Sequence, residues 1–500
     1  MICIPVTETG AAAFLATARA AAQAADAVEL RLDYLDEGDH STVLKALPDL
    51  ARTISHPLIL TFRPREQGGM RDLSLSDRQL FWGAAFRDLS GVMAFADLEL
   101  DLIESSLPGP VPWSKIICSY HDFGETPANL PEIYERMART PAAVIKIATR
   151  ANRIGDCSRL FELLERRSGE KPLIVLGMGL PGLMTRVLAL SRGAMLTFGA
   201  FRAGAESAPG QPTADELRNF YQVKRLSRES EIYGVIGNPI GHSRSPLMHN
   251  AALRAVDRDG VYLPFEVDDL DRFVSDFVRP ATRRLDWRLR GLSVTIPHKV
   301  AIIPHLDLVD ATARTIGAVN TVVIEGARLE GYNTDVIGAM RPLDDMIEVR
   351  HARVAVLGAG GSARAICYGL RERGAQVTIY GRERGKAQLL AEQFGARAAA
   401  IDDFAGEAEV VVNCTPVGMR GHSEGNCPID PELLREVELV YDLIYNPEET
   451  RLLTAARAQG CRTLGGLNML AGQAAEQFRL WTGQEPPSGL MRNALDRGHF

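Results

Sequence analysis

The first part of the chain carries eight short apolar runs separated by segments of helical character, and that alternation restricts it to very few folds. The runs are 2–5, 28–32, 58–62, 95–100, 115–120, 143–148, 173–177 and 195–199. Segments 76–89, 130–139, 157–167 and 182–191 read as helices between them, and the Ala-rich 11–25 reads as another. That last segment has no basic leader, contains Arg19 and follows the strand-like Ile2-Cys3-Ile4, so it belongs to the fold and is not a signal peptide. Strands alternating with helices imply a parallel sheet, and eight such units over residues 1–225 fit a (β/α)8 TIM barrel. Segment 100–115 is the poorest helix, so one crossover is expected to be degenerate.

A second constraint lies at Val354-Ala355-Val356-Leu357-Gly358-Ala359-Gly360-Gly361-Ser362-Ala363, where an apolar strand enters a glycine turn and then a helix from 364 to 373. Gly358 permits the turn, Gly360 lets a pyrophosphate approach the backbone, and Ala363 is small enough for the helix to pack on the strand. The N–H groups of the first helical turn face such phosphates. A glycine turn is also an ordinary connector. Its place between strand and helix is what favours a Rossmann dinucleotide site at Gly358, Ala359, Gly360, Gly361, Ser362 and Ala363.

Composition narrows the function. A chain of 500 residues needs several cores. A formal charge of −7, with scattered Lys and Arg, argues against a nucleic-acid surface. Seven cysteines with no C-x-x-C pair argue against a disulfide framework or a structural zinc, and so for a reducing cytoplasm. No metal is expected, and no apolar run is long enough to span a membrane.

In a barrel the chemistry sits at the carboxyl ends of the strands. Glu29 and Arg31 lie in the second run, Arg63 ends the third, His121 ends the fifth and Lys146 lies inside the sixth. Alternation puts Lys146 on the face of Val144 and Ala148. It is either a lysine whose head reaches water at the strand end or an amine set to form a Schiff base with a carbonyl substrate. His121 is either a polar rim residue or the accompanying proton-transfer group.

The wording around these residues carries a resemblance. Val28-Glu29-Leu30-Arg31-Leu32-Asp33, Thr61-Phe62-Arg63-Pro64, Ser119-Tyr120-His121-Asp122-Phe123, Val144-Ile145-Lys146-Ile147-Ala148 and Ser207-Ala208-Pro209-Gly210-Gln211 together resemble type I 3-dehydroquinate dehydratase. The resemblance implies that Lys146 condenses with the ketone of 3-dehydroquinate and that His121 moves the proton. It implies that Arg186 binds the carboxylate, and that Glu29, Arg31, Arg63, Ser207 and Gln211 hold the ring hydroxyls and carboxylate. Gln67 departs from the family's glutamate before the glycine pair Gly68-Gly69, with Glu66 one residue early.

The second half opens, after a polar stretch at 223–231, with a strand at 233–237 and the loop Gly241-His242-Ser243-Arg244-Ser245-Pro246. Ser243 or Ser245 either caps the following helix or grips a carboxylate. Pro297 closes the strand Gly291-Leu292-Ser293-Val294-Thr295-Ile296 and places Lys299 at a helix start, against the dipole. Asp335, after Gly331-Tyr332-Asn333-Thr334, reads most simply as a helix cap.

These stretches, with Asn320, Asn413-Cys414-Thr415-Pro416 and Asn468-Met469-Leu470-Ala471-Gly472-Gln473, are similar to shikimate dehydrogenase. The similarity implies that Lys299 and Asp335 face each other across the substrate. It places Ser243 and Ser245 on the shikimate carboxylate, and Thr295, Asn320, Tyr445 and Gln473 on the hydroxyl side. Both serines favour shikimate over quinate. Ser293 stands where many bacterial members carry asparagine. The strand 376–380 ends in Gly381-Arg382 with no acid at its tip, so Arg382 and Lys386 are expected to clamp the 2′-phosphate of NADP, with Glu383 opposing them.

The expectation is a bifunctional enzyme. A barrel at 1–225 dehydrates 3-dehydroquinate to 3-dehydroshikimate. A substrate lobe at 231–335, a Rossmann lobe at 336–467 and returning helices at 468–500 reduce that ketone to shikimate with NADPH. The alternative is a shikimate or quinate dehydrogenase with an inactive, structural or regulatory barrel. The sequence leaves the oligomeric state open.

Overall fold

The computed structural model describes residues 1–89, 91–166, 171–421 and 423–496. Its first sheet consists of β1 (Ile2–Val6), β2 (Ala27–Arg31), β3 (Leu58–Thr61), β4 (Phe95–Glu99), β5 (Ile116–Asp122), β6 (Val144–Arg150), β7 (Leu173–Met178) and β8 (Thr197–Phe198). Every ladder is parallel, and β8 pairs with β1. The ring is nearly closed: just before β8 the Met195 N–H donates to the Leu173 carbonyl of β7 at 2.9 Å. Alternation divides each strand. Cys3, Ala27, Ile59, Ile117, Val144 and Ile174 fill the barrel, whereas Ile2, Val28, Leu58 and Ile145 pack outward on the helices. The crossover after β4 keeps only a five-residue α-helix, Leu100–Glu104, and a single 3-10 turn, Trp113–Lys115, before β5. The helix expected at 157–167 begins at Ile154; Arg167 lies outside the described residues, as do 497–500 of the expected last segment.

The second sheet holds β9 (Glu231–Gly237), β10 (Gly260–Glu266), β11 (Leu289–Val294), β12 (Leu308–Val309), β13 (Thr321–Glu325) and β14 (Arg328–Tyr332). Its order is β10-β9-β11-β13-β14-β12, with β13 antiparallel to both neighbours. The third holds β15 (Arg353–Leu357), β16 (Gln376–Gly381), β17 (Arg397–Ala400), β18 (Val410–Asn413), β19 (Leu439–Asp442) and β20 (Arg462–Gly465). It is parallel throughout in the order β17-β16-β15-β18-β19-β20, so the chain reverses direction across the sheet between β15 and β18. That reversal opens a crevice at the strand carboxyl ends. The long helix Gly466–Thr482 then returns to the second sheet, where Trp481 Nε1 donates to the Val322 carbonyl at 3.0 Å.

The polar stretch after the barrel is pinned on both sides: Lys224 pairs with Asp26, Arg225 with Asp257 and Arg228 with Glu165. Trp287, 1% exposed, is wedged between Phe161 of the barrel and Phe277 of the second domain, at ring separations of 4.9 and 5.6 Å. The Arg192 guanidinium covers the Trp287 ring at 4.6 Å and donates to the Asp286 carbonyl at 2.8 Å. The apolar core is therefore continuous from barrel to substrate lobe.

Candidate active sites

In the barrel, β6 carries Lys146 inward between Val144 and Ala148. Its Nζ lies 2.7 Å from Asp97 Oδ2 and 3.4 Å from Glu29 Oε1, with the Phe198 ring centroid at 4.4 Å. An ammonium is costly to bury unpaired, and these partners resolve that cost. The lysine is thus no rim residue with its head in water. Glu29 also accepts from Thr61 Oγ1 at 2.8 Å. Burial opposes ionisation of Glu29, but Lys146, Arg31 and Arg63 outweigh it and hold the carboxyl below its ordinary range. Burial likewise opposes ionisation of Asp97, and Arg63 and Lys146 drive it far below.

Arg63 closes the other side. Its Nη2 is 2.6 Å from Asp97 Oδ1, its Nε 3.4 Å from Glu99 Oε1, and its Nη1 2.6 Å from His121 Nε2. A guanidinium can only donate, so Nε2 presents a lone pair and the ring is neutral. Burial, reinforced by Arg63 and Lys146, pushes the His121 pKa well below the usual imidazole range. Burial also raises Glu99 to about 7, despite Arg63 and Arg78.

One cavity is lined by all eight residues expected for this half: Glu29, Arg31, Arg63, His121, Lys146, Arg186, Ser207 and Gln211. Arg31 is locked bidentately on Asp33 at 2.8 and 3.0 Å, and Arg63 is committed as above. Arg186 differs. It is 1% exposed and has no carboxylate partner among the described residues; its best contact is the Phe198 carbonyl at 3.5 Å. Burial alone lowers it to about 10. Ser207 and Gln211 are joined to each other at 3.0 Å. Gln67 lines the cavity and donates to Asp101 at 3.3 Å, whereas Glu66 is exposed and is not among the lining residues.

The sequence reading missed Asp97 and Glu99. Both sit in a run taken as simply apolar, yet two carboxylates two residues apart in a strand share a face, and in a barrel strand that face is either the interior or the helix layer. This was the available signal.

In the second half, Lys299 belongs to a four-residue helix, His298–Ala301, and its Nζ is 2.5 Å from Asp335 Oδ2. Asp335 is the first residue of the helix Asp335–Asp344, behind the N-cap Thr334, and its carboxylate is turned to Lys299 instead of capping. Asn320 Nδ2 donates to the other oxygen, Asp335 Oδ1, at 2.8 Å and to Gln473 Oε1 at 3.2 Å. These four residues form one bonded group. Ser243, Ser245, Thr295 and Tyr445 are not hydrogen-bonded to it among the described residues. Ser243 Oγ accepts the Ser245 N–H at 3.3 Å, while the N-cap position of the helix Ser245–Ala255 is Arg244 and carries no side-chain cap. Tyr445 reaches from the third domain to the apolar cluster of Tyr233, Ile240 and Met248.

The glycine turn faces this group. Gly358 adopts φ +104°, where a Cβ would also lie 3.1 Å from Thr415 Cγ2. A Cβ on Gly360 would meet nothing within 4 Å, so open space fronts the helix Gly361–Glu372, as a pyrophosphate requires. A Cβ on Gly361 would come within 3.4 Å of Lys299 Cδ, which brings the nucleotide turn up to the Lys299–Asp335 pair. Ala363 is fully buried against the sheet. Arg382 is exposed at the tip of β16, and Lys386 pairs with Glu383 at 2.8 Å, both side chains being exposed.

The chain matches the family models described as type I 3-dehydroquinase over 2–228, shikimate dehydrogenase substrate binding domain over 235–322 and shikimate 5′-dehydrogenase C-terminal domain over 466–495. Residues 353–420 match a model described as NADP oxidoreductase, coenzyme F420-dependent. The bifunctional 3-dehydroquinate dehydratase/shikimate dehydrogenase of Arabidopsis thaliana, a chloroplastic protein, is 34% identical over 98% of this chain and 83% of its own length. The NADP(+) shikimate dehydrogenase of Oleidesulfovibrio alaskensis is 44% identical over 55% of this chain and 99% of its own. Among solved structures, a shikimate dehydrogenase in complex with NADP+ aligns with a TM-score of 0.51 at 36% identity, over 55% of this chain and 98% of that one. The enzyme of Aquifex aeolicus aligns at 0.50 and 36%, over 54% and 99%. With a relative of that identity and extent covering both halves, the chain belongs to the bifunctional 3-dehydroquinate dehydratase/shikimate dehydrogenase family.

Proposed function

We propose a division of labour for this bifunctional dehydroquinate dehydratase and NADP-dependent shikimate dehydrogenase in which each half works through one lysine. The barrel dehydrates 3-dehydroquinate, and the second half reduces the resulting 3-dehydroshikimate to shikimate. The observation that carries the reading is that each half places a lysine against carboxylates in its own cleft: Lys146 with Asp97 and Glu29, and Lys299 with Asp335.

In the barrel, the Lys146 ammonium gives a proton to His121, the freed amine attacks the substrate ketone, and the carbinolamine hydroxyl leaves as water with that proton, giving an iminium that acidifies the adjacent C–H. Neutral His121 takes the C–H proton and returns it to the departing hydroxyl, which leaves as water; hydrolysis then frees Lys146. Arg186, the cation without a carboxylate, receives the substrate carboxylate. Glu29, Arg31, Arg63, Ser207 and Gln211 hold the remaining oxygens.

In the second half, NADPH when bound supplies hydride. Gly358, Ala359, Gly360, Gly361, Ser362 and Ala363 would hold its pyrophosphate, and Arg382 with Lys386 its 2′-phosphate. Lys299 gives a proton to the carbonyl oxygen as it becomes a hydroxyl, and Asp335 keeps the ammonium aimed. Ser243 and Ser245 take the carboxylate. Thr295, Asn320, Tyr445 and Gln473 line the hydroxyl side. The work is divided between a barrel at 1–225, a substrate lobe at 231–335, a nucleotide lobe at 336–467 and a returning segment at 468–500. A cytoplasmic, reducing location is supported by seven free cysteines. Among the described residues no helix is long and apolar enough to cross a membrane.

The experiment is to add 3-dehydroquinate and NADPH to the full-length chain and follow NADPH. Consumption is expected, because the two halves act in series. No consumption with dehydroquinate, but consumption with added dehydroshikimate, would mean an inactive barrel and contradict the first half of the proposal.

A further inference from the structure

Gln477 lies one turn beyond Gln473 on the returning helix and is 3% exposed. The buried polar groups around it form a chain in which every donor points the same way. The Tyr262 hydroxyl donates to Ser293 Oγ at 2.7 Å, and Ser293 Oγ donates to Gln477 Oε1 at 2.8 Å. With its oxygen so engaged, the Gln477 amide presents Nε2 to Thr321 Oγ1 at 3.1 Å and to the Asn320 carbonyl at 3.2 Å. A hydroxyl has one proton, so Thr321, accepting from Gln477, gives its own to Asn320 Oδ1 at 2.8 Å. The Thr334 N–H reaches the same oxygen at 2.8 Å. Asn320 must therefore show its Nδ2 to Asp335 Oδ1, leaving Oδ2 for Lys299. The far end of the chain is also fixed: Tyr262 exchanges two 2.9 Å bonds between its backbone and the Asn250 side chain, and its ring stacks on His249 at 4.3 Å.

We propose that Gln477 is a positioning residue of the reductase half, setting through Thr321 the orientation of the Asn320 amide and through it the carboxylate that holds Lys299. An inverted Asn320 would turn a carbonyl oxygen on Asp335, a repulsion made larger by burial. This rests on the reading of Lys299 and Asp335 as the proton-transfer pair.

The test uses the full-length chain with dehydroshikimate and NADPH. Gln477→Glu keeps the shape and the acceptor for Ser293 but, as a carboxylate, has no donor for Thr321. It is expected to lower kcat about tenfold while the KM for NADPH stays within about twofold. Ser293→Ala removes the donor that orients Gln477 and is expected to lower kcat similarly; Ser293→Thr keeps the hydroxyl and is expected to restore most of it. Gln477→Glu and Ser293→Ala both within about twofold of the parent kcat, or Ser293→Thr as impaired as Ser293→Ala, would overturn the inference. Lys299→Ala, run beside them, separates the two claims. If it alone collapses kcat, only the role of Gln477 fails; if it leaves kcat unchanged, the proton-transfer reading itself fails.

Discussion

The two halves solve the problem of a working lysine in opposite ways. Lys146 is strand-borne, 5% exposed in its side chain, and enclosed by two carboxylates and an aromatic ring within a single barrel. Lys299 stands on a single helical turn, 13% exposed, with one carboxylate brought from another helix and a nucleotide turn brought from another domain. The first site is preformed by one closed sheet, so its charges are paired before substrate arrives. The second is assembled by packing between domains, so its orientation depends on long-range hydrogen bonds such as those through Asn320. On the proposed roles, the amine that forms the covalent bond is the more deeply buried of the two, and the one that delivers a proton lies nearer to water.

Removal of each lysine breaks this comparison most directly. Lys146→Ala is expected to take dehydration to background while reduction of added dehydroshikimate continues at the parent kcat; a parallel loss of both would contradict separate sites. Lys299→Ala is expected to do the converse, lowering kcat for reduction by about 10²- to 10⁴-fold with dehydration intact. Unchanged reduction would remove Lys299 from the chemistry.

A smaller effect is expected at the substrate carboxylate. Arg186→Ala is expected to raise KM for dehydroquinate about 10- to 100-fold, the scale of one buried charge-assisted pair. The variant should not lose stability, since the guanidinium has no carboxylate partner to abandon. A fall in kcat with KM unchanged would place Arg186 outside substrate binding.

How much of this was legible in the sequence depends on the range of the signal. The barrel strands were legible because β-branched, apolar runs of strand length are local, and alternation put Lys146 on the face of Val144 and Ala148, though it could not say that this face points inward. The helix start at Asp335 was legible too, but not the turn of its carboxylate, because Lys299 is distant in the chain and only the family resemblance put them together. Asp97 and Glu99 were hidden inside a run judged by its hydrophobicity. Arg63, expected on the substrate, does line the cavity, but it is also held by Asp97, Glu99 and His121. Nothing in the sequence ranks protein partners above a ligand. The role of Gln477 lay deepest, because the direction of a hydrogen bond follows from its neighbours' other bonds.

The comparison is sharpened, with the smallest effect, by pH. His121 has its pKa lowered, so its ring stays neutral and able to accept a proton through the ordinary imidazole range. The acid limb of kcat/KM for dehydration is therefore expected below pH 6.5. Glu99, raised to about 7, titrates nearer neutrality, and Glu99→Gln is expected to leave that limb in place. A limb at or above 6.5 that survives Glu99→Gln would contradict the buried, neutral histidine.

The central claim, that one lysine acts covalently and the other by proton transfer, is tested most directly by borohydride trapping. The full-length chain is incubated with 3-dehydroquinate, reduced with borohydride, digested, and its peptides weighed by mass spectrometry. The account predicts a stable secondary-amine adduct on the peptide bearing Lys146 and none on the peptide bearing Lys299. An unmodified Lys146 peptide, or an adduct at Lys299, would contradict it.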